Sequence, residues 1–246
     1  MYKKHCDNLK FLTYSLKELE KQTKNSLKTE NELATTLNTN LHSFLTGAWI
    51  EVSLYKLIYE NKFDSIDREI IIPNSNTSLE RKWKNALDLA FSKAFSDNFS
   101  LQEINSTIFL SKLTDTQLQW YTNIQDFINN DLKDVVSLRN KIAHGQWKHT
   151  FNSNMSRVNI DLQREIKNNH YFISKRRLET VKVLVNMIND ISMSPKTFAR
   201  DFDKHYHEIL IIKDRYNDIA FKENVENMKA KFNRAVAWET HNRNRK

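Results

Sequence analysis

Arg139 and His144 sit five positions apart in the stretch Arg139-Asn140-Lys141-Ile142-Ala143-His144-Gly145-Gln146-Trp147. Each brings its own chemistry. A guanidinium is a planar fork of donors that matches two oxygens of a phosphate. An imidazole is the side chain whose ordinary pKa lies nearest neutrality, which suits proton transfer. Asn140 adds an amide able to hold either the phosphate or the imidazole. Such a set fits a reaction at a phosphodiester in which a guanidinium neutralises the phosphoryl oxygens while an imidazole moves a proton.

The stretch closes a segment that reads as a helix from Asp131 to His144, because Leu132, Val135, Val136, Leu138, Ile142 and Ala143 recur at helical spacing. Arg139 lies four residues after Val135 and three before Ile142, so it points along the apolar stripe. A cation there is costly without an anionic partner. Ser137, Asn140 and His144 make a neighbouring polar ridge that ends in the imidazole. Gly145 stands where a left-handed cap stops a helix. The alternative is an arginine paired with a core carboxylate and a histidine that only complements the helix dipole. Positions 139 and 144 diverge by about 140° on a straight helix. A long arginine, a loosened helix end or a second subunit has to close that gap.

Arg-(four residues)-His with Asn directly after the Arg, on the last turn of a helix, resembles the HEPN superfamily. The likeness covers roughly Leu41 to Leu184. It implies an all-α helical bundle and a metal-independent endoribonuclease. The RNA's own 2′-hydroxyl attacks, and the products end in a 2′,3′-cyclic phosphate and a 5′-hydroxyl. It further implies a homodimer with two motifs facing one cleft. The implied role is a toxin or antiphage (abortive infection) effector that cuts tRNA, mRNA or rRNA, held by an antitoxin or a defence-system partner. Arg139, Asn140 and His144 are the catalytic candidates. A non-catalytic helical module that regulates a partner ATPase or nucleotidyltransferase is the competing reading.

Positioning residues are sought on a second helix, read from Leu41 to Asn61. Phe44, Ala48, Val52, Tyr55 and Tyr59 trace one face, and Leu45, Trp49, Leu54, Leu57 and Ile58 widen it. Gly47 inside this helix costs roughly 1 kcal/mol against Ala, and a close helix crossing is the simplest reason for it. Glu51, one turn further, is the candidate partner for Arg139, with Lys56 as its alternative. By resemblance, Gly47-Ala48-Trp49-Ile50-Glu51 looks like a HEPN second helix whose acidic residue approaches the motif. Ser137 and Glu51 are the supporting candidates.

With 246 residues, the chain suffices for one large or two small domains. Only 2 Gly and 2 Pro occur, against folds rich in turns, so an all-α fold follows. The single cysteine, Cys6, excludes an internal disulfide and fits a reducing compartment, hence a cytoplasmic reading. No apolar run suits a membrane span. A net charge of +8 favours polyanions such as RNA, though it also serves solubility. Lys141, Trp147, Lys148, His149 and the run Lys175-Arg176-Arg177 are the RNA-binding candidates, with the basic tail His241 to Lys246 beyond them. Trp147 either stacks on a base or fills the core.

In chain order, three divisions are expected: an N-terminal helical segment (1–40), a core (41–192), and a long C-terminal helix with its tail (193–246), together one continuous domain. The first helix runs from about Asp7 toward Asn40 with Leu9, Leu12, Leu16 and Leu19 inward; the Thr and Asn between Thr29 and Asn40 weaken it, with a break expected near Thr35 to Thr39. Ile70-Ile71-Ile72-Pro73 is too short for a helix. Leu79 to Phe95 is helical, capped by Thr77 or Ser78. Phe99 to Leu113 stays unassigned. Thr114 caps a helix with Leu118, Tyr121, Ile124 and Phe127 inward, and Asn129-Asn130 kink or turn the chain into the motif helix. Lys148 to Asn159 is a loop. Leu162 to Ile191 reads as one long helix, and Ser194-Pro195 starts another of about 40 residues. His205 and His207, two apart on a helix, face different ways and make a poor metal pair; no metal or other cofactor is expected.

Overall fold

The computed structural model describes residues 1–74, 76–95, 110–152 and 154–243. Its elements are α1 (Tyr2–Lys28), α2 (Glu32–Ile58), α3 (Ser65–Ile71), α4 (Leu79–Phe95), α5 (Asp115–Phe127), α6 (Lys133–Ala143), α7 (Ile160–Lys167), α8 (Tyr171–Met193), α9 (Pro195–Arg215) and α10 (Asp218–Arg243). The fold is all-α. No helix among the described residues is long and apolar enough to cross a membrane. Residues 99–109, within the unassigned stretch, and the last three residues of the basic tail lie outside the described residues.

Caps set the boundaries. The break after α1 falls at Thr29–Asn31, not at Thr35 to Thr39. Asn31 accepts a hydrogen bond from the Ala34 backbone N–H at 3.0 Å and so starts α2 nine residues before Leu41. Thr35 and Thr39 then sit inside the helix, where the Thr35 hydroxyl is absorbed by the Asn31 carbonyl at 2.8 Å. α3 forms despite its short isoleucine run, because Asp64 and Asp67 make a reciprocal capping box upstream of it. Ser78 caps α4, accepting from the Arg81 N–H at 3.2 Å. Thr114 and Gln117 make the capping box of α5. Leu118 is exposed rather than inward. At Asn129-Asn130 the chain makes no separate turn: a π-helical turn, Ile128–Leu132, carries α5 into α6.

Two long helices expected from periodicity are each broken by an asparagine. Asn168–His170 separates α7 from α8. Asn217 caps α10, accepting from the Ala220 N–H at 2.9 Å, so the 40-residue C-terminal helix is two helices, α9 and α10.

α2 and α8 pack against each other. α1 and α6 lie on α2; α4 and α9 lie on α8. The apolar core runs through Trp49, Leu54, Trp83, Leu87, Phe91, Ile124, Leu184 and Phe198. On α2 the buried face is not the expected Phe44-Ala48-Val52-Tyr55-Tyr59 line, which is only half-buried. The buried line carries Thr39, His42, Ser43, Thr46, Gly47, Ile50, Ser53, Leu54 and Leu57. Its N-terminal half is polar because it meets polar groups on α8 and in the break before it: His42 Nδ1 lies 2.7 Å from Ser174 Oγ, and Asn169 donates to Asn40 and to Ser43. Burial pushes the His42 pKa down to about 4, so its imidazole is neutral in the fold.

Candidate active site

Arg139 is placed by Gly47. A Cβ built on Gly47 would stand 2.5 Å from Cγ and 2.6 Å from Cβ of Arg139. The arginine stem therefore occupies the space that a side chain on α2 would fill, and α2 and α6 cross there. The guanidinium extends one turn along α2, where Nη2 donates to Glu51 Oε2 at 2.8 Å. Nη1 donates to Asn140 Oδ1 at 3.1 Å. Nε is buried and makes no hydrogen bond. Lys56 is not the partner of Glu51, since it pairs with Glu60 at 2.8 Å. Arg139 and Glu51 are each about one-third exposed (30% and 35%), so the pair lies at the rim of a helix crossing and is open to an incoming anion.

His144 ends α6. Gln146 N–H donates to the Lys141 carbonyl at 3.0 Å and Gly145 N–H to the Ile142 carbonyl at 3.1 Å. This is the Schellman arrangement, and Gly145 takes the positive φ of +74° that it requires. The imidazole of His144 is exposed, and no hydrogen bond or ion pair among the described residues engages it. The helix end has not unwound to swing it toward Arg139. Within one chain, then, Arg139, Asn140 and Glu51 come together, while His144 stands on the solvent side of the same helix end. Ser137 is half-buried on α6.

The segment after the motif is pinned, and its anchors were not singled out in the sequence. Gln146, only 6% exposed, accepts from the Phe151 N–H at 2.8 Å. Thr150 is fully buried and donates to the Asn159 carbonyl at 2.8 Å. Phe151 and Val158 form an antiparallel bridge. A polar residue at C″, where an apolar one usually sits, was the available signal for Gln146.

Several residues expected to hold RNA are used by the fold instead. Lys141 donates to the Phe151 carbonyl at 2.7 Å. Trp147, half-buried, packs with Phe44 against Leu138, Ile142 and Ile166 and so helps to fill a small core. Lys175 pairs with Glu20 at 2.9 Å. Burial opposes the charge on Glu20, but hydrogen bonds from Lys24, Tyr171 and Lys175 prevail and hold its pKa down to about 2. Arg177 is buried, donates to Asn169 and ion-pairs with Glu165. Burial weakens its hold on the proton and raises Glu165 and Asp134. A contiguous basic run on a helix necessarily turns part of itself inward, at 100° per residue. Lys148 and His149 are exposed beside the motif; His149 Nδ1 lies 3.4 Å from Gln163 Nε2. Arg176 is half-exposed.

No group of three or more His, Cys, Asp or Glu among the described residues is placed to hold a metal ion. His205 Nε2 lies 3.4 Å from Asp190, and His207 Nδ1 lies 2.7 Å from the Asp203 carbonyl oxygen, so the two rings serve separate contacts.

Comparison of the chain with protein-family models, with curated proteins and with solved structures gives no match.

Proposed function

We propose that the chain is a metal-independent endoribonuclease of the HEPN type. The observation that carries this reading is the seating of Arg139. Its stem lies over the one helical glycine and its guanidinium is aimed by Glu51 and Asn140, one helical turn from an unpartnered His144. The rim position leaves the guanidinium within reach of a phosphate from solvent.

The reaction follows from what these groups offer. His144 takes the proton of the 2′-hydroxyl, and the oxygen attacks the adjacent phosphorus. Arg139 neutralises the non-bridging oxygens as charge builds on them. The P–O5′ bond breaks, and the 5′-oxygen leaves as a hydroxyl after protonation by water or a second imidazole. The ends are a 2′,3′-cyclic phosphate and a 5′-hydroxyl. Because Arg139 and His144 diverge on one helix, a second copy of the chain supplies the complementary group across a shared cleft, which makes the working form a homodimer. The proposed setting is the cytoplasm. There the enzyme acts on tRNA, mRNA or rRNA as a toxin or antiphage effector, restrained by an antitoxin or defence partner.

The test is to express wild type, Arg139→Ala and His144→Ala in a bacterium, compare growth, and incubate each protein with labelled total RNA in EDTA. Arrested growth and chelator-resistant cleavage by wild type alone support the proposal. Folded proteins with no difference favour the second reading, a non-catalytic helical module acting on a partner ATPase or nucleotidyltransferase. One observation speaks for that module: Arg139 already has an internal anion in Glu51.

A further inference from the structure

We infer that the outward face of α1 is a docking surface for the backbone and bases of a single-stranded or locally unpaired nucleic acid, distinct from the Arg139–His144 site. α1 carries seven lysines against Asp7, Glu18 and Glu20, a net of +4, while the whole chain has +8. Half of the excess charge thus lies on one helix.

The lysines are ordered. At 100° per residue, Lys3, Lys10, Tyr14, Lys17, Lys21 and Lys28 fall within about 40° of a single line, and that line runs for ~38 Å. Lys3, Lys10, Lys17 and Lys21 are exposed and Lys28 is half-exposed. Among the described residues Lys21 is paired with Glu18, whereas Lys3, Lys10, Lys17 and Lys28 have no ion pair. Asp7 is the one carboxylate on the line. Two large aromatic rings accompany the charge: Tyr14, on the line, is 62% exposed, and Phe11, about 80° round the helix from the line, is 71% exposed. Neither ring is needed inward, because Leu9, Leu12 and Leu16 already pack α1 on the core.

A row of unpaired ammonium groups tracks a phosphate chain, and rings beside them stack on bases without reading sequence. A membrane-surface helix would turn a broad apolar face outward, and α1 turns its leucines in. An acidic protein would satisfy the lysines and leave both rings without a role.

α1 lies against the Trp49 side of α2, where Trp49 Nε1 donates to Thr13 Oγ1 at 3.1 Å. Glu51 and Gly47 face α6 on the other side. One polymer touching both surfaces must pass over α2, a span of ~20 Å at ordinary helix spacing. The face therefore suits an extended or folded RNA and stands whether or not the motif cleaves.

The test uses the full chain carrying His144→Ala, a fluorescein-labelled unstructured 30-nucleotide RNA, and anisotropy from about 0.05 to 0.2 M salt. Lys3, Lys10, Lys17 and Lys28 changed together to Gln are expected to weaken binding at least tenfold and to lower the salt slope by about 3. Phe11→Ala with Tyr14→Ala is expected to weaken it roughly tenfold with the slope unchanged. Lys196, Lys204, Lys222 and Lys231 changed to Gln form a charge-matched control expected to retain most of the affinity. Equal losses in the control and the α1 set would overturn the inference, as would wild-type affinity in both α1 variants. Sedimentation with phosphatidylserine vesicles that depends on the α1 lysines, without RNA binding, would replace it with a membrane surface. The ring variant keeps every charge and reports on the face should the lysine set fail to fold.

Discussion

Gly47→Ala tests the helix crossing on which the site depends. The new methyl would lie 2.5 Å from Arg139 Cγ and 2.6 Å from its Cβ. Ordinary carbon contacts are ~3.5–4.0 Å, so it overlaps two atoms by more than about 1 Å each. One of the two is Cβ, fixed to the α6 backbone, so a rotamer change does not relieve it. Ala gains about 1 kcal/mol of helix propensity over Gly, and overpacking of this kind costs about 1–3 kcal/mol. A net loss of up to about 2 kcal/mol is expected. The separation of the helices also withdraws the guanidinium from Glu51, so RNA cleavage should fall far more than the fraction folded does. Urea melts of Gly47→Ala, with Ala48→Gly to calibrate propensity on the same helix, measure the first effect; cleavage of labelled RNA measures the second. A variant about 1 kcal/mol more stable than wild type and fully active would refute the crossing as the reason for this glycine.

Glu51→Ala should change stability by less than about 1 kcal/mol, because the pair is a third exposed and screened. Single-turnover RNA cleavage should nonetheless drop by tenfold or more as Arg139 loses its orientation. Trp147→Ala should cost about 2 kcal/mol in chemical denaturation by emptying the cluster of Leu138, Ile142 and Ile166, and Trp147→Phe should restore most of it; selective loss of RNA affinity without loss of stability would contradict this. The His42 pKa of about 4 lies below its unfolded value of 6.5. Between these values the unfolded chain binds a proton that the fold refuses, so stability falls as pH drops from 6.5 to 4, by up to ~3 kcal/mol. Urea midpoints against pH should show that slope in wild type and a shallower one in His42→Asn.

What the sequence disclosed depended on how local the signal was. The helix class followed from the near absence of Gly and Pro. The arginine's partner and the meaning of Gly47 could be read because both lie one turn apart on a single helix, and a cation on an apolar stripe needs an anion. Gly145 could be read because the left-handed cap has a residue-specific cost. Asn168–His170 and Asn217 read as tolerated polar residues inside an apolar period; at Asn217 the side chain caps the Ala220 N–H and starts a new helix, whereas at His170 no side-chain cap forms. On α2, Trp49, Leu54, Leu57 and Ile58 are buried as periodicity implies, but the line from Phe44 to Tyr59 is only half-buried; a count of apolar positions is blind to buried polar residues. The N-terminal half of the buried face holds Thr39, His42, Ser43 and Thr46, and the partners of His42 and Ser43, Ser174 and Asn169, lie more than a hundred residues away. Lys175 and Arg177 were misread for the mirror-image reason: their anionic partners, Glu20 and Glu165, are brought to them by tertiary packing alone.

The central claim is that the Arg139 guanidinium and the His144 imidazole act on one scissile phosphodiester. Its most direct test is to treat a defined RNA and its 2′-O-methyl copy with wild type, Arg139→Ala and His144→Ala in EDTA, and to identify the new 3′ ends by mass. The account predicts 2′,3′-cyclic phosphate ends from the RNA with wild type only, and nothing from the methylated copy. Cleavage that survives in His144→Ala, or cutting of the 2′-O-methyl strand, would contradict it.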